Sequence, residues 1–213
     1  ENNILIRDAE SLERLYKMTA VVLDKTGTIT EGKPTVTDIF WNPQIDIISY
    51  MPVLLYLESR SEHPLADAVV AHLGREGITT TLKGEFESIT GQGVCGVIEG
   101  KHYYVGNHRL LQSHHIPEDL EQEQQAEICR REGKTVVYFA DSVRVLALIV
   151  IADEVKEGSV KAVQQLQKEG LKIYMLTGDN VITAKAVAGR IGLKNYKAEM
   201  MPSDKADFIK ELQ

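Results

Sequence analysis

The chain has 213 residues, of which 43% are hydrophobic and 26% charged, with a formal net charge of −7. That length holds one large or two modest globular domains, and the ordinary composition excludes a disordered or collagen-like chain. The acidity argues against a nucleic-acid partner, which would call for a basic patch. Cys95 and Cys129 stand far apart with no CxxC pair, so a reducing compartment fits better than a disulfide framework. The longest apolar run, VLALIVIA at residues 145–152, is well short of the roughly 20 residues needed to cross a bilayer. ENNILIRDAE lacks the basic and apolar segments of a leader, and the piece is expected to be soluble as given.

In chain order, DAESLERLYK (residues 8–17) reads as a helix with Asp8 as a candidate cap. Residues 20–23 form a short, mostly β-branched apolar run, read as a buried strand that ends on Asp24. From Gly32 the texture changes. PTVTDIFW predicts a strand, residues 46–59 a helix, and a second helix follows Pro64. LKGEFESI, GVCGVIEG and KHYYVGN predict antiparallel strands joined by glycine turns, with a helix at NHRLLQS. EDLEQEQQAEICRREG is a charged helix closing at Gly133. TVVYFA and VRVLALIVIA read as a hairpin or as consecutive strands. After residue 152 strand and helix alternate: VKEGSVKAVQQLQKEG, KIYMLT, NVITAKAVAGRIG, YKAEM and SDKADFIKELQ. Such alternation implies parallel βαβ units. The expected fold is an α/β parallel-sheet domain, made from residues 1–32 and 143–213, interrupted by an inserted α+β domain with an antiparallel sheet at 33–142.

Candidate chemistry gathers at strand ends, where open parallel sheets carry their sites. Asp24 opens DKTGTIT. A lone aspartate there is most often a cap, but Lys25, Thr26, Gly27 and Thr28 supply backbone N–H groups, hydroxyls and a permissive glycine that can wrap a phosphoryl group. A second strand ends in LTGDN. Thr177 and Gly178 offer a hydroxyl and an approachable backbone at a helix start, with Asp179 or Asn180 as its cap. Lys205 in MPSDK begins the last helix. Three such loops on one sheet edge would set a carboxylate, a hydroxyl and an ammonium around one phosphate.

DKTGTIT, TGDN and the lysine of MPSDK, in that order, resemble the motifs of P-type ATPases, which are built on the haloacid-dehalogenase fold. The resemblance covers essentially the whole chain. It implies that Asp24 attacks the γ-phosphate of ATP and becomes an aspartyl phosphate. It also implies that Mg²⁺ and Lys205 offset the charge repulsion, and that Thr177 holds phosphoryl oxygens. Lys25, Thr26, Gly27, Thr28, Gly178 and Asp179 would line the phosphate. Asp24 and the backbone carbonyl of Thr26 would be the Mg²⁺ ligands. Phosphatases of this fold commonly carry a second aspartate two residues after the nucleophile. Thr26 has no useful pKa for that acid/base work, so the phosphoenzyme is expected to hydrolyse slowly, as suits an energy transducer.

In the insert, SEHPLA (residues 61–66), GQG (91–93) and VGN (105–107) can each be read as local structure: a helix start with Pro64 first, a hairpin turn, and a helix cap. Together they resemble the nucleotide-binding domain of heavy-metal-transporting P-type ATPases. That resemblance assigns Glu62, His63, Gly91, Gly93 and Asn107 to adenine and ribose. ADEVK, residues 152–156, is similar to an Asp-x-x-Lys segment near the family's hinge, with Gly32 and Pro34 as hinge positions on the other side. LIRDAESLE looks more like the Cu(I) exporters than the zinc and cadmium pumps. The resemblance further implies a fragment from the cytoplasmic face of a membrane. Its parent would add transmembrane helices, an actuator domain and a further Mg²⁺ carboxylate, so the fragment alone is expected to bind nucleotide with little or no turnover; a metallochaperone would be a partner of the parent. The competing readings are a stand-alone haloacid-dehalogenase-type phosphatase with a cap domain, and a nucleotide-binding module without chemistry.

Overall fold

Residues 8–212 are described by the computed structural model. The helix expected at 8–17 forms as α1 (Ala9–Tyr16) and leads into β1 (Ala20–Asp24). LIRDAESLE lies in part outside the described residues. The insert follows as β2 (Thr35–Trp41), α2 (Ile47–Glu58), α3 (Pro64–Arg75), β3 (Gly84–Ile89), β4 (Gly93–Ile98), β5 (Lys101–Gly106), α4 (His108–Ser113), α5 (Leu120–Arg131), β6 (Thr135–Asp141) and β7 (Val145–Ala152). The chain then returns through α6 (Ser159–Lys168), β8 (Lys172–Leu176), α7 (Val181–Arg190), β9 (Asn195–Lys197) and α8 (Pro202–Leu212).

Two sheets result. The first is parallel, in the order β1-β8-β9, and its register pairs Asp24 with Leu176. Ile173 and Met175 of β8 pack with Val163 of α6, with Ala184 and Val187 of α7, and with Ile191 just after it. The second sheet is antiparallel throughout, in the order β2-β7-β6-β5-β4-β3. Its strand β7 belongs here, between β2 and β6. The boundary expected after residue 142 therefore moves: the insert's sheet runs to Ala152.

The reason lies in how β7 is buried. Leu146, Ile149 and Ile151 face a core with Leu54 and Leu57 of α2 and Val69 of α3. Val145, Leu148 and Val150 face a second core with Leu110 of α4 and Ala126 of α5. A strand covered on both faces is apolar at every position, whether its sheet is parallel or antiparallel. The pattern announces burial and leaves the choice of sheet open.

Local chemistry sets the helix starts. Asp119 and Gln122 close a reciprocal capping box on α5. Asn180 caps α7 by accepting from the Thr183 N–H at 3.0 Å. Leaving and returning connections of the insert run side by side: Thr30 bridges Val155 antiparallel, and the Glu31 N–H donates to the Glu154 carbonyl at 2.8 Å.

Candidate active site

β1 delivers Asp24 to the carboxyl end of the parallel sheet. The next residues form a tight turn in which the Thr30 N–H reaches back to the Lys25 carbonyl at 3.0 Å. Gly27 takes φ +74°, a region that side-chain-bearing residues rarely enter. A Cβ on Gly32 would lie 2.9 Å from the Gly27 Cα, so the two ends of the loop meet there.

The Asp-x-x-Lys segment ties this loop down. Asp153 accepts from the Thr30 hydroxyl (2.5 Å) and from the backbone N–H groups of Gly32 (3.0 Å) and Lys33 (3.2 Å). It does not cap a helix; α6 starts at Gly158 without a side-chain cap. Lys156 donates to the Gly27 carbonyl at 2.6 Å, and the Ser159 hydroxyl to the Ile29 carbonyl at 2.8 Å.

Asp24 itself stays accessible, its side chain 42% exposed, and pairs with Lys205 of α8 at 2.5 Å. These residues are 181 positions apart in the chain. Thr177 follows Leu176, the register partner of Asp24, and is 3% exposed. The structure thus brings together the carboxylate, hydroxyl and ammonium expected from the three strand-end loops. The segment after β9 wraps the second motif: the Met200 N–H donates to the Thr177 carbonyl (3.1 Å) and the Glu199 N–H to the Asp179 carbonyl (2.8 Å).

Two side chains expected at the phosphate are engaged elsewhere. Lys25 is turned inward, 7% exposed, and pairs with Asp179, 13% exposed. An ammonium removed from water requires a carboxylate partner, and this pair satisfies both charges. Asp179 also accepts from the Thr177 hydroxyl at 2.9 Å, while its N–H donates back to that hydroxyl at 3.1 Å. Both side chains buttress the phosphate loop. What Lys25, Thr26, Gly27, Thr28 and Gly178 can offer a phosphoryl group is chiefly backbone N–H and hydroxyl.

The insert's candidates form a looser set. Asn107 caps α4 through its Oδ1, with Arg109 and Leu110 N–H at 3.0 and 3.3 Å, and donates from Nδ2 to the Gly91 carbonyl at 2.8 Å. Gly93, at φ +148°, pairs with Gly106; its Cβ would lie 2.2 Å from the Val105 carbonyl oxygen, so strand pairing alone requires glycine there. Gly91 faces the other domain: its Cβ would lie 2.6 Å from Met201 Sδ, four residues before Lys205. His63 caps α3, its Nδ1 accepting from the Leu65 N–H at 3.2 Å. Packing lowers the pKa of its ring, against the pull of the Asp179 carboxylate. Glu62 is exposed beside it.

Sequence reasoning missed Glu58, which ends α2 five residues before His63. It is buried, and desolvation pushes its carboxyl pKa up to about 7. The signal was present: a single carboxylate terminates the apolar run VLLYLE.

Residues 18–213 match the model of the family described as "Hydrolase: haloacid dehalogenase-like hydrolase". The chain belongs to the haloacid dehalogenase-like hydrolases. Within this family it aligns over its whole length with metal-transporting P-type ATPases. It is 38% identical to a probable copper-importing P-type ATPase A of Enterococcus hirae, 38% to a copper-exporting P-type ATPase of Legionella pneumophila and 39% to a probable cadmium-transporting ATPase of Alkalihalophilus pseudofirmus. It covers 29%, 29% and 30% of their lengths respectively. Among solved structures, a zinc-transporting PIB-type ATPase is 30% identical with a TM-score of 0.63, over 98% of this chain and 33% of that one. The catalytic domain of the CPx-ATPase CopB-B shares the fold at TM-score 0.73 and 23% identity, over 98% and 71%. These relatives carry copper, cadmium or zinc in their names. Among the described residues, no helix is long and apolar enough to cross a membrane.

Proposed function

We propose that this chain is the ATP-binding and phosphorylation portion of a heavy-metal P-type ATPase and lies at the cytoplasmic face of a membrane. Its Asp24 accepts the γ-phosphoryl group. The observation that carries this reading is the pairing of Asp24 with Lys205 beside Thr177, at the carboxyl edge of the parallel sheet.

In the step itself, a carboxylate oxygen of Asp24 attacks the γ-phosphorus, the bond to the β-phosphate oxygen breaks, and ADP leaves with that electron pair. Lys205 lowers the repulsion between carboxylate and phosphate, and the Thr177 hydroxyl meets the transferred group. No cluster of three His, Cys, Asp or Glu that could cage a metal occurs among the described residues. The oxygen donors at the loop are the Asp24 carboxylate and the Thr26 carbonyl. So sparse a set suits Mg²⁺, which keeps several waters and takes one or two carboxylates together with substrate phosphates. When bound there, Mg²⁺ supplies positive charge to the transferring phosphoryl group.

Across the cleft, Gly91 and Asn107 offer an approachable backbone and an amide, with His63 and Glu62 for the base. Gly93 supports the same turn. Because Gly91 faces Met201, a nucleotide seated on the insert would direct its phosphates toward Lys205 and Asp24. Thr26, in place of a second aspartate, leaves that position without an acid/base group. That favours an energy transducer over a cap-domain phosphatase. The transmembrane helices and actuator domain of the larger protein, and a metallochaperone, are the proposed partners. Cu(I) is the ion that the opening LIRDAESLE favours.

The test combines two measurements on this chain. With γ-labelled ATP and Mg²⁺, label should become covalently bound, stable to acid and released by hydroxylamine; Asp24→Asn should abolish it while ATP binding persists. ATP titrated against backbone amide resonances should shift residues 62–63, 91–93 and 107. Label retained in Asp24→Asn, or amides there unmoved by ATP, would overturn the assignment.

A further inference from the structure

The turn between α5 and β6, Glu132-Gly133-Lys134-Thr135, is where the insert rests on the parallel domain. Arg190 of α7 donates to the Glu132 carbonyl at 3.0 Å, and the fully buried Thr183 hydroxyl donates to the Lys134 carbonyl at 3.0 Å. The next residue, Thr135, donates its hydroxyl to Asp179 Oδ1 at 3.2 Å. Thr135 pairs with Ile151 of β7, and Ile151 pairs with Val36 of β2, so it sits at the hinge end of the insert's sheet. One carboxylate therefore collects three donors: Lys25 and Thr177 on Oδ2 from the parallel domain, and Thr135 on Oδ1 from the insert.

We propose that Thr135 is a positioning residue for phosphoryl transfer, acting through Asp179 on the hydroxyl of Thr177. The inference rests on the functional reading above. As the structure stands, the Thr177 hydroxyl proton points at Asp179. To serve a phosphoryl oxygen it must turn away, and the carboxylate must then remain satisfied by its other donors. A largely buried carboxylate that loses a donor holds the remaining ones more tightly, because little water reaches it to replace the missing bond. With Thr135 in place, Lys25 and Thr135 hold Asp179 and Thr177 is released. Without it, Asp179 retains Thr177. Since Thr135 reaches Asp179 only when the Glu132–Thr135 turn rests on α7, transfer is coupled to docking of the nucleotide-bearing insert. The adenosine side of the cleft is untouched, so nucleotide affinity should not depend on this hydroxyl.

Thr135→Val removes the hydroxyl at nearly constant volume; Thr135→Ser keeps it. Label transfer from ATP to the chain should slow roughly tenfold in Thr135→Val, about the effect of one lost charge-assisted hydrogen bond. ATP affinity by calorimetry should stay within about twofold, well below that effect. Thr135→Ser should recover most of the rate. Without nucleotide, the Lys25 and Thr177 amide resonances should move in Thr135→Val and stay in Thr135→Ser. If Thr135→Val does not fold, Thr135→Ala is measured in its place. Transfer at the wild-type rate in Thr135→Val, or Thr135→Ser as slow as Thr135→Val, overturns the inference while leaving the functional reading intact. Wild-type protein that neither binds ATP nor takes label overturns the functional reading. In that case unmoved Lys25 and Thr177 amides in Thr135→Val overturn this inference too.

Discussion

The loop at the end of β1 and the insert's candidate residues are held in opposite ways. The loop is cross-tied from several directions: Asp153 grips three of its donors, Lys156 and Ser159 take its carbonyls, and Lys25 is anchored inward on Asp179. The insert's candidates lie on three turns, tied by the bond from Asn107 to the Gly91 carbonyl, and Glu62 and His63 stand exposed at the start of α3, where packing still lowers the His63 pKa. The difference matches the tasks that the proposed function gives the two regions. A group that must meet developing charge works best when fixed beforehand. A surface that admits and releases a ligand can be drawn from less tightly tied segments.

Substitutions can break this contrast or sharpen it. The largest effect is expected at Lys25→Met, which leaves the largely buried Asp179 carboxylate without its cation. Breaking a buried pair in this way should cost about 3–5 kcal/mol in urea unfolding. A loss below about 1 kcal/mol, the range of exposed pairs, would mean the loop is not internally anchored.

Next comes a pH effect on the insert. Between the ordinary Glu value of 4.5 and about 7, folded Glu58 keeps a proton that the unfolded chain releases. Its contribution is complete below pH 4.5 and disappears as pH rises through 7, a change of about 3 kcal/mol. Unfolding measured across that window should weaken toward neutrality, and Glu58→Gln should flatten the slope. His63 opposes this: with its pKa lowered, stability is lost as pH falls below its ordinary 6.5. A Glu58→Gln profile as steep as wild type would point to other groups.

A smaller loss, about 2 kcal/mol, is expected for Asp153→Ala, which strips acceptors from Thr30 and two backbone N–H groups partly reachable by water. Faster amide exchange at residues 30–33 should accompany it. The smallest belongs to Arg109→Ala. Its pair with Glu199 spans insert and parallel domain at 2.8 Å, but both side chains are about half exposed, and about 0.5 kcal/mol or less is expected. A larger value from a double-mutant cycle would make that bridge part of the docking surface.

Much of this was legible beforehand. The strand–helix alternation after residue 152, the strand ending at Asp24 and the glycine-turned strands of the insert all appear where patterning put them. The three strand-end motifs converge as their positions required. Partner choice was less legible. Lys25 and Asp179 stood in the right loops, but nothing in DKTGT or TGDN says that the two charges consume each other. The sequence does not say what Asp153 binds, because a helix cap and a loop clamp need the same short carboxylate. The apolar run VLLYLE hints at Glu58, but a carboxylate ending a helix is usually solvated, and packing decides that this one is buried.

The sequence by itself determined the order of elements, the interruption of one α/β domain by another, and which residue types stand at the ends of β1 and β8. These follow from periodicity and local backbone chemistry, which act over a few residues. Tertiary structure alone decided that β7 joins the insert's sheet, that Lys25 turns inward, and that Asp24 is left to Lys205. Hydrogen-bond and charge partners are selected by proximity between segments more than a hundred residues apart, and no local pattern carries that information.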